Sequence, residues 1–310
     1  MKTLACIVLL ILLSGSVNAQ FELSYEEHMA ALKNGTTYVV MKDPASEIAQ
    51  DYIEVFKKYW TISKVEFIKS SEITAHNAKG NFFLTICSWT KTTQSTATSS
   101  TVHIYLGLWT CKDSYFGAKT KKKLSWENVH MIGRIELYTD FKTLCNPDDL
   151  YKYDYDGGGH IRNWGPGILK NYLQEFMVQL DKGKERSIFA PSSDKAQLNL
   201  IKKETLYIPD YILIKFGAMT GDESKKHTEK EIFTGYKYPY QLISTEELNQ
   251  KILNDTIPFY HLQYVKSSTD KFVSIFNSTT GEMIYTIYTP MAYNFKKEDM
   301  MRISETILGK

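Results

Sequence analysis

Apolar residues along this chain recur with two different periods, and each change of period marks an element. Residues 37–41 form an apolar run of β-branched and aromatic type, the signature of a buried strand. Asp43-Pro44 then suits a helix start, with Asp as cap and Pro in the first turn. Ile48, Tyr52, Val55, Phe56 and Tyr59 follow at helical spacing and predict one buried face. Residues 64–69 return to strand character, and Ser70-Ser71-Glu72 suits the start of a short helical turn. Residues 82–89 and 102–111 predict strands joined by 91–101, where Ser and Thr dominate and an exposed hairpin loop is expected. A further strand is predicted over 130–138. The clearest helix comes next: Leu169, Tyr172, Leu173, Phe176, Met177 and Leu180 form one apolar stripe, opened by Gly165-Pro166-Gly167.

After a polar segment at 181–200, which reads as a linker, a similar order begins again. Residues 206–208 and 238–243 predict strands with a helix between them, and Ser244-Thr245-Glu246-Glu247 has the spacing of a capping box. Strands over 259–265, 272–276 and 282–289 follow, the last two forming a hairpin, and a helix closes the chain at 296–308. The pattern predicts an α/β fold, with α+β as the alternative. It has two similar β-α-β-α-β-β-α-like halves, residues 20–180 and 201–310, joined by the linker. The element order is similar to that of the thioredoxin fold, and fold order alone carries no function.

Residues 1–19 have the three parts of a cleavable export signal. Lys2 is the positive end, residues 4–13 are the apolar run, and Val17 and Ala19 are the small residues before the cut. The run is shorter than the roughly 20 residues that span a bilayer. No later segment is long and apolar enough, so no membrane span is expected after cleavage. The protein is expected to be exported, to the periplasm or outside the cell. Loss of Lys2 lowers the formal net charge from +2 to +1, which leaves no strong field to attract nucleic acid or an anionic membrane. With 21 Tyr, 15 Phe and 5 Trp, the chain has ample material for a core.

Three cysteines follow the signal: Cys87, Cys111 and Cys145. Cys87 and Cys111 each end a strand-like run and are candidates for a disulfide in an oxidising compartment; the alternative is buried, unbridged thiols. There is no Cys-x-x-Cys pair, so thioredoxin-type redox chemistry and zinc-ribbon binding lack their ligands. The ending Asn18-Ala19-Gln20, the Tyr-rich strands and the stretch Asn163-Trp164-Gly165-Pro166-Gly167 leading into Leu169-Lys170-Asn171-Tyr172-Leu173-Gln174 resemble exported bacterial proteins of unknown function. That resemblance spans both halves and implies no catalytic residues.

The most distinctive stretch is Tyr153-Asp154-Tyr155-Asp156-Gly157-Gly158-Gly159-His160, ending at Trp164. Alternating carboxylates before glycines suit a structural calcium, which takes several oxygens on a curling backbone. The loop lacks a third acidic position and a closing Glu, so an Asp/Gly-rich turn is the plainer reading. Asp154, Asp156, His160 and Trp164 are therefore the ligand-binding candidates, with no metal and no other cofactor assigned. The seven histidines, at 28, 76, 103, 130, 160, 227 and 261, form no zinc-binding pair. The Gly-x-Ser-x-Gly elbow is absent, and Ser-x-x-Lys occurs three times in unrelated contexts, as chance produces it. Lys119, Lys121, Lys122 and Lys123 make a basic loop without the aromatic interleaving of a nucleic-acid site. Asn34, Asn254 and Asn277 fit the glycosylation pattern.

These features point first to a non-catalytic binding or interaction protein of the cell envelope, whose partner is another envelope protein or a small ligand. The alternative is a secreted or periplasmic hydrolase whose site assembles from residues distant in sequence.

Overall fold

The computed structural model describes residues 20–23, 28–94, 98–116, 124–183, 185–187 and 190–309. The expected export signal at 1–19 and the basic run at 119–123 lie outside the described residues. Helices and strands are intermixed and the sheets are mixed, as an α/β chain requires. Among the described residues, no helix is long and apolar enough to cross a membrane.

The first part of the chain contains β1 (Phe21–Leu23), α1 (Met29–Asn34), β2 (Thr36–Met41), α2 (Glu47–Tyr59), β3 (Lys64–Lys69), α3 (Ile73–His76), β4 (Asn81–Gln94) and β5 (Thr98–Cys111). It continues through α4 (Asp113–Phe116), β6 (Val129–Glu136), α5 (Phe141–Cys145) and α6 (Pro166–Lys182). Its sheet has the order β1-β6-β5-β4-β2-β3. β2 runs parallel to both β3 and β4, and the remaining pairs are antiparallel.

The second part contains β7 (Ser192–Ser193), α7 (Lys195–Leu200), β8 (Leu206–Pro209), the hairpin β9 (Ile214–Gly217) and β10 (Asp222–Lys226), α8 (Glu229–Phe233) and β11 (Tyr240–Ile243). α9 (Thr245–Asn254), β12 (Tyr260–Ser267), β13 (Asp270–Asn277), β14 (Met283–Pro290) and α10 (Lys297–Ile307) complete it. Its sheet has the order β11-β8-β12-β13-β14-β7, with β8 parallel to β11 and β12 and the other pairs antiparallel.

Several boundaries move for identifiable reasons. The helix expected to start at Asp43-Pro44 begins at Glu47, where Ser46 accepts a hydrogen bond from Ala49 N. Asp43 is spent instead on Lys69, 3.1 Å away. The Ser/Thr segment read as a loop is mostly strand: β4 runs to Gln94 and β5 starts at Thr98, since Thr is a good strand former. The segment 181–200 is no bare linker. Ser192–Ser193 add an edge strand to β14, and Asp194 caps α7 through Ala196 N and Gln197 N. The capping box at Ser244 forms as expected, with Ser244 N donating to Glu247 and Glu247 N to Ser244.

α6 is the helix around which the two parts close. Its stripe of Leu169, Tyr172, Leu173 and Phe176 is wholly buried, in one cluster with Leu84 and Leu106 of the first sheet and Phe259 and Phe276 of the second part. Each such apolar side chain contributes roughly 1.5–3 kcal/mol. Four of its polar residues, Lys170, Asn171, Glu175 and Gln179, are buried too. Lys170 donates to Ile252 O (2.9 Å), Asn171 to Ser278 O (2.8 Å), and Glu175 accepts from Met283 N (2.9 Å). The Gly165-Pro166-Gly167 opening has a packing reason. A Cβ on Gly167 would stand 2.3 Å from Asn249 O, so glycine lets α9 approach, and Asn249 Oδ1 accepts from Ile168 N.

Candidate ligand cavity

β3 and β4 both run parallel to β2, and the carboxyl ends of β2 and β3 lie together beside the middle of β4, which continues to Gln94; strand ends in open α/β sheets commonly leave a crevice. Here they border a cavity of about 370 Å³, within the size range of small-molecule sites. Val40, Met41 and Lys42 contribute from the end of β2, Ser70 from the turn after β3, and Thr85, Ile86 and Cys87 from β4. Trp109 of β5 forms part of the wall, and the segment 150–161 crosses over it with Leu150, Tyr153, Asp154, Tyr155 and Ile161.

The wall is rigid where it is polar. Trp109 Nε1 donates to Thr85 Oγ1 (3.1 Å), and its ring stacks on Phe83 at 4.5 Å. Thr85 also hydrogen-bonds the Cys87 thiol. Burial pushes that thiol up to about 12, against a small opposing effect of Thr85, so Cys87 stays protonated and is a wall residue, not a nucleophile. Among the lining residues, Lys42 and Asp154 carry charge. Lys42 is exposed and donates to Lys152 O (2.8 Å). Asp154 Oδ1 accepts from Ser46 Oγ and from Tyr155 N, both at 3.0 Å.

The four candidates read from sequence do not converge. Asp154 lines the cavity. Asp156 caps the glycine turn, accepting from Gly158 N at 2.8 Å. His160 lies behind Tyr153, stacked on it at 4.4 Å, with Nδ1 2.6 Å from Asp140 Oδ2. Burial works against the Asp140 charge, and His160 and Thr143 outweigh it to hold the carboxyl below its usual range. Trp164 is a core residue, stacked on Tyr52 and donating to Tyr155 O (2.7 Å). Among the described residues, no group of three or more His, Cys, Asp or Glu is placed to hold a metal.

The candidate Cys87–Cys111 bridge does not form, and all three described cysteines are free, with Cys87 and Cys111 buried as in the alternative and Cys145 exposed. Cys87 pairs across the sheet with Tyr105, while Cys111 lies six residues further along β5. At ~3.3 Å per residue they stand roughly 20 Å apart, far beyond disulfide reach. Asn277 is a poor glycosylation acceptor, because its buried amide donates to Gln197 Oε1.

Two other clusters bear on function. Ser267 of β12, His103 of β5 and Glu136 of β6 meet where the two sheets touch: Ser267 Oγ donates to Glu136 Oε2 (2.7 Å) and lies 3.0 Å from His103 Nδ1. Burial alone would raise the Glu136 carboxyl, but His103, Arg134 and Ser267 hold it below its ordinary value. All three residues are under 10 % exposed. A relay needs the histidine between serine and carboxylate; here the serine bonds the carboxylate directly, and the same ring nitrogen faces both. The second cluster is a hollow of about 360 Å³ lined by His28, Lys79, Cys111, Asp113 and His130. Its Lys79 and Asp113 neutralise each other at 2.9 Å.

Of the first cavity's residues, the sequence marks Asp154 as a ligand candidate and Cys87 as a disulfide candidate, and Tyr153, Tyr155 and Gly157 belong to the Asp/Gly-rich stretch. The available signal was in β4, where Phe83, Thr85 and Cys87 put small and apolar groups on the face opposite Phe82, Leu84 and Ile86. A strand apolar on both faces has something covering each. Comparison with protein-family models, with curated proteins and with solved structures returned no match.

Proposed function

We propose that this chain is an exported, non-catalytic binding protein whose ligand site is the cavity at the carboxyl ends of β2 and β3, beside the middle of β4. The observation that carries the reading is the cavity itself: small-molecule size, mostly apolar walls and few polar groups. Of the two partner classes, a small ligand fits this geometry better than another envelope protein. The chain is further read as two related α/β halves, and the matching order and sense of strand pairs in the two sheets support a duplication. The thioredoxin-like order remains an analogy without redox cysteines.

The test is titration of the purified protein with an anilinonaphthalene fluorophore, followed by its own emission and by Trp quenching. Saturable one-to-one binding that is lost in Val40→Phe is expected. Absence of binding, or binding unchanged in that variant, overturns the reading.

The hydrolase alternative has one observation in its favour, the approach of Ser267, His103 and Glu136. Its test is labelling with a fluorophosphonate probe. Covalent modification of Ser267 would establish it, and the closed, direct Ser–Glu geometry predicts none.

A further inference from the structure

We propose that the cavity takes an amine with an apolar body, its cationic head held by Asp154. The inference rests on the binding reading above and adds the ligand's chemistry. Val40, Met41, Ile73, Ile86, Leu124 and Ile161 offer the body apolar surface, and hydroxyls such as Ser70 and Ser125 lie among them, but a charged end must find its partner at one of two charged lining residues, Asp154 or Lys42.

Asp154 is such a place. Its Oδ1 is filled by Ser46 Oγ and Tyr155 N, which orient the carboxylate, while Oδ2 has no hydrogen-bond partner among the described residues. An oriented carboxylate with one open oxygen accepts from a donor, and a cationic donor makes the stronger bond. The competing group is Lys42, which would favour a carboxylate ligand. Lys42 is exposed, and its ammonium already donates to Lys152 O, so solvent screens it more than Asp154.

The experiment is displacement of the anilinonaphthalene fluorophore by octylamine, octanol and octanoate at pH 7, on the wild type and on Asp154→Asn. Asparagine keeps the acceptor oxygen for Ser46 and Tyr155 N at the same size, and a matching thermal melt confirms the fold. A charge-assisted hydrogen bond predicts octylamine about tenfold tighter than octanol, with octanoate the weakest. In Asp154→Asn the amine and the alcohol should bind alike. Octanoate binding as tightly as octylamine, or an amine preference that survives Asp154→Asn, overturns the amine assignment while leaving the cavity reading intact. Failure of all three probes to displace the fluorophore overturns both.

Discussion

The two sheets pair their strands in the same order and sense, yet only the first borders the apolar cavity described above. In the second sheet every residue of β12 is buried. Residues of α7, α8 and α10 share a core with one face, and α6 hydrogen-bonds to the other through His261. The first sheet has α2 and α6 on one face, while short turns and irregular segments cover the other. Regular helices close a sheet completely, whereas irregular cover leaves space. Closure has its own cost, because polar groups trapped in the second part must be paired. Lys271 meets Asp299 at 2.6 Å, and Lys266 meets Glu223 at 2.9 Å with its ammonium 3.5 Å from the centre of the Phe216 ring.

The sharpest way to break this contrast is to remove a partner in the closed part. Asp299→Ala strands the buried Lys271 and takes the acceptor from Lys296 N at the start of α10. A loss of about 3–5 kcal/mol is expected in urea unfolding.

Acid is the next probe. His261 is buried between Asn171 Oδ1, to which Nε2 donates, and Gln263 Nε2, from which Nδ1 accepts. Burial, with Lys170 nearby, lowers its pKa to about 3. The unfolded chain takes up this proton near pH 6.5 and the native state does not. The His261 contribution is therefore complete above pH 6.5 and lost as the pH falls towards 3. About 2 kcal/mol should disappear between pH 7 and pH 5. The corresponding loss in His261→Gln should be smaller by that amount, as read from urea midpoints at the two pH values.

Overfilling then compares the two sheets directly. Leu262→Phe, in the closed core, should cost about 1–3 kcal/mol, while Val40→Phe grows into the cavity and should change stability by less than about 1 kcal/mol. Equal costs in thermal melts would mean that the first sheet is as tightly covered as the second. A modest effect is expected at the rim: Ser46→Ala removes the α2 cap and should cost about 1 kcal/mol in the same melts.

The sequence made the regular elements legible wherever one face alone is buried. The stripe of α6, the Ser244 capping box and the hairpin after Asn277 all appear where periodicity and turn chemistry put them. It misled where tertiary contacts reassign a residue, as when Asp43 pairs with Lys69 and Ser46 starts the helix instead. β12 shows the other limit. His261, Gln263, Lys266 and Ser267 are polar yet buried, because α6 and the first sheet supply partners that local pattern does not reveal. The cavity was nearly silent in the sequence. Thr85 and Trp109 are ordinary strand residues, Cys87 stands out only as a disulfide candidate, and the glycine turn carrying Asp154 is the sequence feature that marks its rim.

The buried polar side of α6 also governs when the molecule can finish folding. Asn171 finds its acceptor 107 residues further along the chain, and Glu175 its donor 108 residues further. As the chain emerges from its N-terminus, α6 can settle on the first sheet while its other side waits with unmet hydrogen bonds. The first part is thus held short of completion until the last hairpin arrives, and both sheets should then be gained, and lost, in a single cooperative step.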